Sequence, residues 1–242
     1  MNLKLIAEST DPTAGEPLTV DQVTTQLRYG GDDQDDLIAA YISASRNLAE
    51  FYNGRKFVLS QWVLALDCWP GGSNWLAGVS SMADPYFGNW QSDAYRLLSS
   101  TPWGLNAIPL LAPLVSVETV QYTDSTGTVH ALEPNVDYFV DTFKEPGIIA
   151  PMPNSNWPLV SLWPSSGIQV KFTAGMVPNA AAYAAANPTL PPAPQVMKNI
   201  SQGMMLLCSQ FFIARVPYDA LRFITEPPFS VNSLFTSNKL WK

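Results

Sequence analysis

His130 is the single histidine of the 242-residue chain. Any histidine-dependent base, metal centre or nucleophile–base pair would have to use it, with Cys68, Cys208 and the carboxylates as further donors. Two thiols and one imidazole supply too few ligands for a structural zinc site. His130 also follows the turn signal Asp124-Ser125-Thr126-Gly127, where a half-exposed strand position is its expected setting. The run Asp32-Asp33-Gln34-Asp35-Asp36 is dense in carboxylates, yet it lacks the glycine and closing glutamate of a calcium-binding EF-hand loop. There is no Gly-x-Ser-x-Gly elbow and no phosphate-cradling glycine loop. No catalytic constellation emerges, so no enzyme activity, cofactor or metal is expected. Eight tryptophans leave a sugar-stacking platform, and hence a carbohydrate-binding module, as an alternative from another class.

The totals favour a folded protein that buries surface against others. Hydrophobic residues make up 47% of the chain and charged residues 14%, against a usual charged share of about 25%. Thirteen basic and twenty acidic residues give a net charge of −7. That balance lacks the electrostatic footprint of a nucleic-acid binder. No apolar run approaches the roughly 20 residues of a membrane span, and MNLKLIAEST carries no signal-peptide core, so a soluble protein made in a cytoplasm is expected. The two cysteines are expected as free thiols.

The elements that must position these residues start with one long helix over 32–55. Leu37, Tyr41, Ala44, Leu48 and Phe51 recur at helical spacing, with Ile38, Ile42, Ala49 and Tyr52 beside them. Asp32 or Asp33 is the expected N-cap, and Asn53-Gly54 the stop. Before it, Thr19 caps a short helix with Val20, Val23 and Leu27 on its apolar face, and Gly30-Gly31 breaks it. A second long helix, 195–215, carries Val196, Ile200, Met204, Leu207 and Phe211, and is expected to pack on the first.

Between the helices the period falls to two. Strands are expected from Phe57 to Leu66, Leu114 to Thr123, Thr128 to Leu132, Asp137 to Asp141, Gly147 to Ala150 and Ile168 to Thr173. The segment 71–106 has no period but carries Trp75, Tyr86, Phe87 and Trp90, aromatics that either fold back or wait for a partner. The fold class is α+β. A helical bundle of two long helices plus a short N-terminal one carries an inserted small antiparallel β domain and an extended C-terminal tail. The expected organisation is a 1–17 arm, a helical core from 18–56 and 194–216, and a β domain over 57–175. A 176–193 Ala/Pro linker and a 217–242 tail complete it. That tail, with Leu221, Phe223, Ile224, Phe229, Leu234, Phe235 and Trp241, is too apolar for disorder and is expected to dock.

One ordered set of residues is more specific. Leu18-Thr19-Val20-Asp21-Gln22-Val23 with Leu27-Arg28 precedes the Asp-rich start, Leu37-Ile38 and Ala49-Glu50-Phe51-Tyr52-Asn53-Gly54-Arg55. Gln61-Trp62, Leu66-Asp67 and Trp69-Pro70 follow. Then come Pro113-Leu114-Val115-Ser116-Val117, Val120-Gln121-Tyr122, Tyr138-Phe139-Val140-Asp141, Trp157-Pro158, Val170-Lys171-Phe172-Thr173-Ala174-Gly175 and Pro194. Across 18–215 this resembles the head–tail connector (adaptor, head-completion) family of tailed bacteriophages.

The resemblance implies a structural virion protein at the head–tail interface. It would form a ring of about a dozen copies under the portal, extend the DNA channel and offer a platform for stopper or tail proteins. DNA would pass through the lumen without specific binding, which suits an acidic chain. The apolar tail then acquires the portal as its partner, and its deletion is expected to abolish portal binding with the fold intact. The flanks of the long helices, with Asp33, Asp36, Arg46 and Arg55, are the expected subunit contacts, and Trp75, Tyr86, Phe87 and Trp90 a partner loop. A stopper-like completion protein is the neighbouring alternative.

Overall fold

The computed structural model describes residues 2–70, 106–214, 218–219, 222–223, 229–237 and 239–240. The chain is α+β and divides into two compact units. The first comprises Met1–Ser9, Leu59–Gly175 and Thr189–Pro192. The second comprises Thr10–Val58, Met176–Pro188 and Ala193–Lys242.

Among the described residues the first unit holds eight strands: β1 (Asn2–Glu8), β2 (Ser60–Leu66), β3 (Ile108–Pro109), β4 (Leu114–Thr123), β5 (Val129–Leu132), β6 (Tyr138–Asp141), β7 (Ile148–Pro151) and β8 (Ile168–Ala174). They form an antiparallel sheet in the order β1-β2-β8-β4-β5 and a smaller one in the order β3-β7-β6. Side chains alternate along β8, so Ile168, Val170, Phe172 and Ala174 point into the core while Gln169 faces out. Leu64, Leu66 and Val120 join them from the same sheet, and Ile108, Tyr138 and Ile149 from the smaller one. Trp69 and Trp157 stack within this core, ring centroids 4.6 Å apart and 7° from parallel. At the end of β4, Gly127 takes a φ of 88°, and the Asp124 carboxylate accepts from the backbone N–H groups of Thr126 and Thr128 to close the hairpin. The expected N-terminal arm is extended, and over Asn2–Glu8 it is the edge strand β1, paired with β2.

The second unit is built on α1 (Val20–Leu27), α2 (Asp35–Asn53), α3 (Ala180–Ala186), α4 (Lys198–Ala214) and α5 (Phe229–Thr236), with a two-strand hairpin of β9 (Tyr218–Asp219) and β10 (Arg222–Phe223). Thr19 and Gln22 form a capping box, each side chain accepting from the other's backbone N–H. Its helix stops at Arg28, whose φ of 54° places the left-handed residue before Gly30-Gly31. The α2 cap also differs from expectation. Asp33 instead accepts from the Tyr29 hydroxyl, and Gln34 takes the cap position without a side-chain bond. Gly54 ends α2 at φ 79°, as the Asn-Gly pair predicts.

The Ala-rich stretch expected as a linker contains α3. Asn179 accepts from the N–H groups of Ala181 and Ala182, and Tyr183 anchors one face by burial. The tail expected to be extended contains α5. Ile38, Ile42 and Ala49 of α2 and Ile200, Met204 and Leu207 of α4 share a core with Leu18, Val23, Phe57, Val231 and Phe235.

Candidate functional site

The expected docking residues divide by where they lie. Phe235, on α5, is fully buried in the chain's own core, stacked 6.4 Å from Tyr52. Leu234 is half-buried beside it. The end of α5 is held by side-chain amides: Asn199 Nδ2 donates to the Leu234 carbonyl at 3.1 Å and Asn53 Nδ2 to that of Phe235 at 3.0 Å. The Leu240 N–H returns a bond to the Asn53 carbonyl at 3.0 Å. These contacts correct the expectation that the tail can be deleted with the fold intact. Phe223 lies on β10 and Phe229 opens α5. Leu221, Ile224 and Trp241 lie outside the described residues, as do Trp75, Tyr86, Phe87 and Trp90 of the aromatic segment.

The charged residues divide as well. Arg46 is nearly buried, its Nε 3.1 Å from both Glu16 oxygens and its Nη1 3.6 Å from Glu50. Ser43 donates to Glu16, and Glu50 also accepts from the Phe57 N–H at 2.9 Å and from Lys56 at 2.8 Å. Arg46 therefore ties the segment before α1 to α2 within one chain, rather than reaching outward to a neighbouring copy as the resemblance led us to expect. Asp33 and Asp36 are exposed. Arg55 is half-exposed and donates to the Asn53 side chain at 3.2 Å.

The long helix α2 carries two apolar faces. Ile38, Ile42 and Ala49 are buried, together with the polar Ser45, Arg46, Glu50 and Asn53. The broad stripe that periodicity singles out includes these apolar residues and extends past them. Tyr41 and Leu48 are half-buried at its edge, Ala44 is exposed, and Leu37 and Phe51 stand 36% and 58% exposed. Spacing thus found the buried Ile38, Ile42 and Ala49 but drew the stripe wider than the buried arc, because it does not register the inward polar network.

His130 is half-exposed on β5, its ring 19° from parallel with Tyr122 and its Nε2 2.9 Å from Asp124. The Thr126 hydroxyl above all, then His130 and the Thr128 N–H, holds the Asp124 carboxyl well below the usual carboxylate range. This is a hairpin clasp at the turn between β4 and β5. Both cysteines are free thiols, Cys208 buried beside the Ser45 hydroxyl at 3.1 Å. Among the described residues no cluster of His, Cys, Asp and Glu could hold a metal ion, and no helix is long and apolar enough to cross a membrane. The stacked Trp69 and Trp157 spend their faces on each other inside the core, so they offer no platform for a sugar ring.

No protein-family model and no curated protein matches the sequence. Solved structures do. A chain in the neck of an empty gene transfer agent (GTA) particle, computed with C6 symmetry, superposes with a TM-score of 0.62 at 16% identity, covering 99% of this chain and 95% of that one. A chain from the virion of the native particle gives 0.61 at 17% identity with the same coverage. One from the native neck, computed with C12 symmetry, gives 0.57 at 16% identity, again over 99% and 95%. At these identities the likeness is one of fold, and it runs through both units of the chain.

Proposed function

We propose that this chain is a structural, non-catalytic virion protein of the neck, a head–tail connector of the adaptor type. In this reading copies form a ring beneath the portal, extend the DNA channel and offer the platform on which stopper or tail proteins assemble. The observation that carries it is the superposition on a GTA neck chain over 99% of the length, at a TM-score of 0.62. The C12 symmetry of another matched neck supports a ring of about twelve copies. A wall with a net charge of −7 would let DNA slide, since it offers few cations to hold phosphates.

Asp33, Asp36 and Arg55 remain the subunit contacts of this reading, because they stay at the surface. Portal docking falls to Leu221, Phe223, Ile224, Phe229 and Trp241, because Phe235 and in part Leu234 serve the chain's own core. The test is the copy number of this chain relative to the portal protein in purified particles, by quantitative mass spectrometry. A ratio near unity is expected. A large excess would assign the chain to a shell or tail repeat, and absence from particles would end the structural reading.

A further inference from the structure

Trp157 holds the chain on both sides of the aromatic segment 71–105. Trp69, just before the segment, stacks on the Trp157 ring with centroids 4.6 Å apart. Just after it, the Asn106 carbonyl accepts from Trp157 Nε1 at 2.6 Å. One side chain therefore fixes the departure and the return of a segment that carries Trp75, Tyr86, Phe87, Trp90, Tyr95 and Trp103. Its only charged residues are Asp84, Asp93 and Arg96, so it has little to keep those aromatics in water.

The chain running on from Trp157 is apolar and exposed. Leu159 is 97% exposed, and Val160 and Trp163 follow at 45% and 47%. This stretch lies along the β4–β5 turn. The Ser125 N–H donates to the Ser161 carbonyl at 2.9 Å, and the Trp163 N–H to that of Thr123 at 2.9 Å. A β-carbon built on Gly127 would lie 3.8 Å from the Trp163 ring, and Val129, 57% exposed, follows in the same hairpin. Four exposed apolar side chains thus gather at one end of β4, on the stretch that continues from Trp157. One polar group nearby also lacks a partner. Trp69 is 8% exposed, and its indole N–H finds no acceptor among the described residues. A buried donor left without an acceptor is costly.

We propose that residues 71–105 pack back on Leu159, Val160, Trp163 and Val129, and that a carbonyl of the segment accepts from the Trp69 indole. Position selects this occupant. A segment tied at both ends beside a surface meets it at an effective concentration of about a millimolar. A free partner at micromolar level would have to bind about a thousandfold more tightly to compete. Composition agrees, because aromatic rings cover large apolar areas at low cost in side-chain entropy. The aromatics then complete the β unit of their own chain instead of reaching for a second protein. The inference does not depend on the neck reading, and particle stoichiometry leaves it untouched.

The experiment uses the full chain. A benzophenone amino acid in place of Leu159 is irradiated, and the linked peptides are read by mass spectrometry. Links to peptides of 71–105 are expected in the monomer band. Leu159→Glu is expected to speed chymotrypsin cleavage within 71–105 about tenfold or more, because cleavage follows the population of the undocked segment. Phe143→Glu, at a fully exposed site on the β6–β7 turn, should leave that rate unchanged. Far-UV circular dichroism should match the parent protein in both variants, since neither side chain is buried. Links in a dimer band would assign the patch to a second copy and overturn the proposal. An absence of links to 71–105 overturns it as well. So does a cleavage rate that Leu159→Glu leaves unchanged, or that Phe143→Glu raises equally.

Discussion

Phe235 closes directly over Gly203: a β-carbon built on that glycine would lie 2.7 Å from the phenyl ring. The glycine is a notch in α4 that lets α5 seat its aromatic ring in the core between α4 and Tyr52. Two opposing effects decide what a side chain there would do. Alanine improves helix propensity by about 1 kcal/mol over glycine. Overpacking a buried contact costs about 1–3 kcal/mol, and the fully buried ring has little room to yield. The steric term wins. Gly203→Ala is expected to lower unfolding free energy by about 1 kcal/mol, and Gly203→Val by more, in urea titrations.

The same packing governs how the tail can be tested. Phe235→Ala should cost about 3–5 kcal/mol, the usual range for emptying a buried aromatic site. A chain ending before Tyr218 loses that ring and the bonds Asn53 and Asn199 make to α5, so it should melt well below the full-length protein. Loss of portal binding by such a truncation would then report unfolding. Point substitutions at Leu221, Ile224 and Trp241 are the informative variants. They should weaken pull-down of the portal protein while the melting temperature stays within a few degrees.

Much of this architecture was legible in residue order, and the misreadings have physical causes. Periods of 3.6 and 2 located both long helices and the strands β4 to β8, because burial on one face imposes those periods directly. Gly54 and the Thr19–Gln22 box were readable as helix punctuation, since each satisfies specific backbone groups. Within the broad apolar stripe of α2, spacing marked Ile38, Ile42 and Ala49, which are buried, without separating them from Leu37, Ala44 and Phe51, which are exposed. The inner side of α2 holds Arg46, Glu50 and Asn53, polar groups that are buried only because Glu16, Lys56 and the carbonyl of Phe235 come to meet them from distant positions. Asp33 looked like a cap until Tyr29 was placed against it. The burial of Phe235 depends on Gly203, a glycine inside a helical pattern that sequence reasoning passes over. That isolated glycine was the one available signal of close approach by another element.

Arg46 provides a sharper test of the polar network. Its side chain is 10% exposed, and removing the guanidinium takes the 3.1 Å ion pair from Glu16, 31% exposed, while Glu50 keeps Lys56 at 2.8 Å. Breaking a fully buried pair from one side costs about 3–5 kcal/mol. Arg46→Met keeps most of the stem, and with Glu16 partly solvated its loss should fall below that range. Adding Glu16→Gln should recover part of it by removing the carboxylate that loses its partner. The loss should change little between low and moderate salt, because buried pairs are screened far less than exposed ones. Urea midpoints for the two variants at two ionic strengths decide the matter. Equal midpoints for Arg46→Met and the parent protein would show that Arg46 is dispensable to the fold.

The hairpin clasp at Asp124 sets a pH dependence with a definite sign. Thr126 contributes most to depressing this carboxyl, ahead of His130 and the Thr128 N–H. A group whose folded pKa is depressed stabilises the fold fully above its unfolded value, about 3.9 for aspartate, and loses that contribution as pH falls toward the folded value. Protonation should therefore loosen the β4–β5 turn only under acid conditions, well below the ordinary carboxylate range. Thr126→Val removes the leading hydroxyl donor, so the Asp124 carboxyl should titrate closer to its ordinary value in that variant. Carboxyl-detected NMR titration reads this directly, and the Thr128 amide should follow the same midpoint because it donates to Asp124 at 3.0 Å. An unchanged midpoint in Thr126→Val would mean that His130 and the backbone N–H groups hold the carboxylate by themselves. His130→Ala would then be expected to move it instead.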